Sequence, residues 1–239
     1  MKPTLFISDL HLSDQRPDLV RAFFHFLDTQ ARDAEALYIL GDLFDFWLGD
    51  DDDDDISQQV MGALQTLHQT GVKLFFLQGN RDFLVASGFA KLTGCALLDE
   101  ETVIDLYGTP TLLMHGDTLC TDDVKYLEFR RKVQNPITQF IFRLLPLSVR
   151  KKIFYKVKTG SKTSQQQKSA MIMDVTEQAV IDVMQKHQVT RLIHGHTHRP
   201  TVHPATEKHG ERIVLGDWDQ NGWYLQVDAD SRKLEKFAI

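Results

Sequence analysis

Apolar runs that stop at Asp, Asn, His or Gly recur along this chain, and this recurrence constrains the fold more than any other feature. Leu5-Phe6-Ile7 stops at Ser8-Asp9-Leu10-His11, Leu37-Tyr38-Ile39-Leu40 at Gly41-Asp42, and residues 72–77 at Gln78-Gly79-Asn80-Arg81-Asp82. Between these strand-like runs, residues 17–32 carry Leu19, Phe23, Phe26 and Leu27 at helical spacing. Residues 56–70 carry Val60, Leu64 and Leu67 ahead of a capping Gly71. The order is βαβαβ, which predicts a parallel sheet with its strand ends gathered on one edge.

The pattern changes after residue 100. Residues 102–107 and 111–114 read as strands parted by a hairpin-like turn at Gly108-Thr109-Pro110. Residues 121–187 read as helical, broken at Pro136, at Pro146 and in the polar stretch 160–167. Strands return at Leu192-Ile193, 213–215, 224–227 and 234–238, with Asn221-Gly222 as a two-residue hairpin turn. Asp50 through Asp55 reads as a solvated acidic loop, because nothing spaces its carboxylates around one ion.

Composition narrows the classes. With 42% hydrophobic and 25% charged residues in 239, the chain is neither collagen-like, coiled-coil nor disordered. No apolar run approaches the ~20 residues of a membrane-spanning helix, and the early Asp9 leaves no room for a signal-peptide core. Cys95 and Cys120 form no Cys-x-x-Cys and read as buried thiols of a reducing compartment, so a cytoplasmic protein is expected. The net charge of −6 hides an asymmetry: residues 121–170 hold twelve of the 27 basic residues and three of the 33 acids. A basic segment in an acidic body points to an anionic partner.

The chemistry sits where the strands end. His115-Gly116-Asp117 follows Leu112-Leu113-Met114, and His194-Gly195-His196-Thr197-His198 follows Leu192-Ile193. The carboxyl ends of strands in an open α/β sheet converge on one crevice, and neighbouring glycines let backbone pack close to it. Asp9 and His11, two apart on extended chain, would point the same way. Asp, His and Asn offer imidazole and oxygen ligands but no thiolate, which suits Mn²⁺, Fe²⁺ or Zn²⁺. Seven candidates (Asp9, His11, Asp42, Asn80, His115, His196 and His198) are too many for one tetrahedral ion. They suit two ions sharing a carboxylate bridge, for which Asp42 is best placed. Such a pair, ~3.5–4 Å apart, activates a water and clamps both oxygens of an in-line displacement at phosphorus. His25, His68, His187, His194, His203 and His209 read as bystanders.

Asp-x-His, Gly-Asp, Gly-Asn-x-Asp, His-Gly and Gly-His-x-His, in that order over residues ~4 to ~220, resemble the calcineurin-like metallophosphoesterases. The resemblance implies a four-layer α/β/β/α sandwich, here a single domain over 1–239 with a helical basic and apolar insertion at about 121–170. It implies that Asp9, His11, Asp42 and His198 hold one ion, and that Asp42, Asn80, His115 and His196 hold the other. Many members read Gly-Asn-His-Asp or Gly-Asn-His-Glu, with that His assigned as proton donor to an alkoxide leaving group. Here the position is Arg81. A guanidinium grips phosphate oxygens but gives up no proton near neutral pH. That substitution favours a leaving group departing unprotonated, such as a phosphate with a second pKa of ~6, and hence pyrophosphate cleavage. A plain ion pair of Arg81 with Asp82 or a loop acid is the simpler alternative.

The insertion mixes large apolar residues with cations along residues 137–155. It reads either as an ordinary cap with a solvated basic face, or as a surface for an anionic membrane or an acyl chain. The runs Leu40 to Phe44, Gly79 to Leu84, Met114 to Asp123 and Ile193 to Pro200 narrow the resemblance to the family's lipid A-pathway pyrophosphate hydrolases. This implies a UDP-linked diacylated glucosamine lipid as substrate, two Mn²⁺ ions, and peripheral attachment to the anionic cytoplasmic face of the inner membrane. It implies no nucleic acid and no obligate protein partner. Asn80, Arg81 and His196 would be catalytic, and Asn80, Arg81, Asp123, Ser161, Gln165, Lys168 and His196 would touch substrate. A nuclease or protein phosphatase of the same family would be expected to carry His at 81. A non-catalytic binding module would be expected to lack a ligand, and none of the seven positions is missing.

Overall fold

Strand β1 (Thr4–Ile7) is buried along its whole length, so its alternate residues serve two different cores. Leu5 and Ile7 face one apolar layer, and Phe6 faces another. The same holds for β2 (Ala36–Leu40), where Leu37 and Ile39 face the first layer and Tyr38 and Leu40 the second. Strands buried on both faces read as continuous apolar runs, which is how these two stand in the sequence. The computed structural model describes residues 2–52, 54–165 and 174–239, with the backbone alone for 157–165.

Helix α1 (Pro17–Phe26) begins with the proline that a first helical turn tolerates and runs on through a π-helical turn, Leu27–Ala31. Helix α2 (Asp55–Gln69) follows β2, then β3 (Lys73–Leu77), α3 (Ser87–Thr93) and β4 (Ala96–Leu98). Strands β1 to β4 pair in parallel, as the βαβαβ order predicts. The hairpin β5 (Thr102–Leu106) and β6 (Thr109–Leu113) opens a second sheet. Helices α4 (Val124–Val133), α5 (Pro136–Leu144), α6 (Leu147–Gln165) and α7 (Glu177–His187) follow. The chain closes with β7 (Arg191–His194), β8 (Thr201–His203), β9 (Glu211–Val214), β10 (Asn221–Val227) and β11 (Arg232–Ala238). The sheets run β11-β10-β1-β2-β3-β4 and β5-β6-β7-β9-β8.

Three apolar layers set the order of the sandwich. Leu19, Phe23, Val60 and Leu64 of α1 and α2 pack on the outer face of the first sheet. Phe6, Tyr38 and Leu40 meet Leu113, Ile193 and Ile213 between the sheets. Val180, Val183 and Met184 of α7 cover Leu112 and Leu192 outside the second sheet. The result is helix, sheet, sheet, helix, with both sheets mixed. The four-layer expectation holds, and β10 and β11 extend the parallel β1–β4 sheet in the antiparallel sense.

Four local expectations are corrected. The β5–β6 turn falls at Tyr107-Gly108, both at positive φ, and Pro110 lies inside β6. It is tolerated there because the ladder to β7 starts only at Thr111. Asn221-Gly222 opens β10 instead of turning a hairpin, since β9 and β10 belong to different sheets. Helix α6 continues through Gly160 to Gln165, a glycine cost of only ~1 kcal/mol. The aspartate run is not a free acidic loop. Asp50 accepts the amides of Ala86 and Gly88, Asp51 pairs with Arg150, Asp52 lies 3.1 Å from Lys151, and Asp54 caps α2 through Ser57. Cys95 and Cys120 are both buried, as expected. Among the described residues no helix is long and apolar enough to cross a membrane.

Candidate metal centre

Seven non-glycine residues among those described adopt positive φ, and five of them are candidate ligands: Asp9, His11, Asp42, His196 and His198. Left-handed backbone costs a non-glycine residue of order 1 kcal/mol, and such strain collects at functional sites. Asp9 and His11 therefore converge through a tight left-handed loop, not through extended chain. Backbone bonds stitch that loop to the end of β2: Asp9 N to Gly41 O at 3.1 Å, and Leu10 N and His11 N to Asp42 O at 2.9 and 3.0 Å. Gly41 is obligatory on two counts. Its φ is +87°, and a Cβ there would lie 2.6 Å from the Gly79 backbone and 2.8 Å from His115 Nδ1.

The side chains meet over this seam. His115 Nδ1 donates to Leu40 O at 2.9 Å, which aims Nε2 inward, 2.9 Å from Asn80 Oδ1. The same Asn80 oxygen is 2.9 Å from His196 Nδ1. Asp42 Oδ2 lies 3.8 Å from His115 Nε2 and 3.9 Å from His11 Nδ1, between the two halves of the site. His198 spans Asp9 Oδ1 at 3.5 Å and Asp217 Oδ2 at 3.3 Å, and its Nε2 is 3.4 Å from His11 Nε2. Two groups have ligand atoms close enough to share an ion: Asp9, His11 and His198, and Asp9, Asp42 and His115.

These residues fit divalent cations. Asp9 Oδ1 and His11 Nδ1 are buried with no hydrogen-bond partner, an arrangement that costs free energy unless a further group completes it. Electrostatics agree. Burial alone would raise Asp9, but the His198 ring 3.5 Å from Oδ1 and the surrounding imidazoles hold it well below the usual carboxylate range. Burial raises Asp42, with Asp82 and Asp9 adding to the effect of burial. Burial would lower His115, yet the charges of Asp42, Asp9 and Asp117 lift it to about 9. His198 likewise reaches about 10 through Asp217 and Asp9 against burial. Burial pushes His196 down to about 4 and His11 down to about 3. So many mutually perturbed titratable groups gathered in one place mark a functional site.

Arg81 borders the pocket, one-third exposed, with Nη1 3.0 Å from Asp45 and Nε 3.8 Å from Asp42. Its acid partner is Asp45 and not Asp82. Asp82 is buried, and its carboxylate accepts the amides of Gly79, Leu43 and Asp42 at 2.8, 2.8 and 3.2 Å, tying two ligand loops together. Asp123 caps α4 by accepting Tyr126 N at 3.1 Å. Of the other expected substrate contacts, Lys168 lies outside the described residues, as do the side chains of Ser161 and Gln165.

Several supporting residues escaped the sequence reading. Asp217 orients His198 and follows Leu215-Gly216, the same strand-end signal that marked the rest. The Tyr126 ring stacks on His196 at 6.1 Å, and its hydroxyl donates to buried Asp117. Arg130 Nε donates to the same oxygen at 2.7 Å. Nothing local in the sequence marks Tyr126, which reaches the site only because α4 folds back over it. His194 is fully buried beside Gly116, with Nδ1 2.9 Å from Gly195 O, clear of both candidate ion groups.

The sequence profile of the calcineurin-like phosphoesterases matches residues 2–200, and the chain belongs to that family. Curated relatives are more particular. The UDP-2,3-diacylglucosamine hydrolase of Tolumonas auensis is 52% identical over 94% of this chain and 92% of its own. The enzyme of the same name from Pseudomonas paraeruginosa is 49% identical over 98% of this chain and 99% of its own. An archaeal phosphodiesterase structure, 10% identical, shares the fold at a TM-score of 0.50 with 99% of each chain covered.

Proposed function

We propose that this protein hydrolyses the pyrophosphate of UDP-2,3-diacylglucosamine to UMP and 2,3-diacylglucosamine 1-phosphate, a step of lipid A biosynthesis. The observation that carries the reading is near-full-length identity of about half the residues to hydrolases named for that substrate. Arg81, where an alkoxide-releasing relative would need an acid, supports it. So does an insertion that is both greasy and cationic.

Two Mn²⁺ ions are the proposed cofactor. Asp9, His11, Asp42 and His198 would hold one, and Asp42, Asn80, His115 and His196 the other. Bound there, the ions supply Lewis-acid charge at phosphorus and lower the pKa of a water toward neutrality. The chain's own residues do the rest. Leu40 and Asp217 fix the rings of His115 and His198, so their inner nitrogens face the pocket. Arg81 grips the phosphoryl oxygens and, with Lys168, balances charge as it builds there. Asn80 and His196 orient the attacked phosphoryl group, and Asp123, Ser161 and Gln165 contribute contacts to the remaining substrate. The sugar 1-phosphate leaves without a protein acid.

The whole chain acts as one metallophosphoesterase domain. The insertion at about 121–170 shelters the acyl chains and rests on the anionic cytoplasmic face of the inner membrane. Ile137, Phe140, Ile141 and Leu144 of α5 are exposed together. Nucleic acid and an obligate protein partner have no place in this reading. The discriminating experiment offers UDP-2,3-diacylglucosamine, bis(p-nitrophenyl) phosphate and single-stranded DNA to Mn²⁺-loaded protein. Preference for the lipid by orders of magnitude in kcat/KM is expected; equal or better cleavage of DNA would overturn the assignment.

A further inference from the structure

Arg150, at the start of α6, is 1% exposed, and its guanidinium is plugged into the loop that leaves β2. Nη1 donates to Leu48 O at 2.5 Å and to Asp51 Oδ1 at 2.8 Å, Nε donates to Leu145 O at 3.0 Å, and Nη2 pairs with Asp51 Oδ2. The socket needs bare backbone: Gly49 sits at φ +141°, and a Cβ there would lie 2.4 Å from Nη1. Beside it Lys151 meets Asp52 at 3.1 Å, and the Phe46 and Phe154 rings lie 4.5 Å apart.

The loop that forms this socket also supplies a candidate ligand to the metal centre. Asp42 stands near its start, Asp45 pairs with Arg81, and Trp47 N donates to Arg81 O at 3.2 Å. One short segment thus holds a candidate ligand at one end and the insertion at the other. A planar guanidinium fork satisfied on three sides fixes direction as well as distance, which an apolar plug would not. We propose that Arg150 and Asp51 are positioning residues that set the α5–α6 corner over the site, so that the lipid half of the substrate docks in register with the phosphates at Arg81. This rests on the proposed lipid substrate.

Asp51 is largely exposed but the Arg150 fork it pairs with is buried, so denaturant melts of each variant separate lost stability from lost docking. In Asp51→Ala, kcat/KM for UDP-2,3-diacylglucosamine is expected to fall about tenfold, chiefly through KM, with bound metal as in the wild type. Asp51→Glu is expected to restore most of the loss. Arg150→Lys keeps the charge but not the fork, and is expected to resemble Asp51→Ala. Hydrogen exchange gives a second reading: amides of α5 and α6 should exchange faster in Asp51→Ala. An unmoved KM, or a loss confined to kcat, overturns the inference. If the wild type does not turn over the lipid at all, the proposed function fails, and exchange alone decides the latch: faster supports it, unchanged overturns it.

Discussion

Arg81 is the residue on which the chemical reading turns. It borders the ligand pocket and pairs with Asp45, yet a third of it stays open to solvent and substrate. Arg81→Ala is expected to lower kcat by about 10²–10³, as losing one transition-state donor does, with metal content unchanged by elemental analysis. A loss of under tenfold in steady-state kinetics would reduce Arg81 to a partner of Asp45. The histidines make a separate prediction. In the metal-free protein His115 at about 9 and His198 at about 10 carry protons at neutral pH, while His196 at about 4 does not. Ligation needs neutral imidazole, so cation uptake must expel protons, and affinity should climb as pH rises from 6 toward 9. Calorimetric titration in buffers of different ionisation enthalpy checks this; no proton release at pH 7 would contradict it. The linkage runs the other way for stability without metal. Both groups are raised above the ordinary 6.5, so their contribution is full below that pH and is lost as pH rises through 9 to 10.

The turns after β1, β2, β3, β6 and β7 hold the site together, and these were the most legible elements in the sequence. A strand end followed by Gly, Asp or His is a short-range signal, readable without tertiary knowledge. The same signal at Leu215-Gly216-Asp217 was present and unused. The misread places depend on partners far along the chain. Pro110 is tolerated in β6 only because β7 begins pairing at Thr111, and Asn221-Gly222 turns no hairpin because β10 seeks β1. The aspartate run looked solvated because Arg150, some hundred residues away, is what meets Asp51. Close packing of the turns gives the element-scale test. A Cβ on Gly79 would fall 2.2 Å from Asp42 Oδ1 and 2.5 Å from Asp42 N. Gly79→Ala is therefore expected to lose bound metal and ~1–3 kcal/mol of stability, read by elemental analysis and denaturant melts. Wild-type metal content would contradict the seam.

Across the whole molecule the sandwich acts as a rigid mount. Phe6 is fully buried between the sheets and stacks on Tyr38 at 5.0 Å, which in turn stacks on Phe75 at 4.4 Å. Phe6→Ala is expected to cost ~3–5 kcal/mol in denaturant unfolding, as large core truncations do. Sequence periodicity sufficed to read most strands and helices, but the four layers and the pairing of two sheets face to face were supplied by resemblance, since apolar runs carry no label for which sheet they join. In the proposed reaction, water attacks the uridine-side phosphorus and the sugar 1-phosphate departs. The most direct test is turnover of UDP-2,3-diacylglucosamine in ¹⁸O-water with Mn²⁺ and with chelator, both products being read by mass spectrometry. Label in UMP, and only with metal, is the expected result; label in the 2,3-diacylglucosamine 1-phosphate would contradict it.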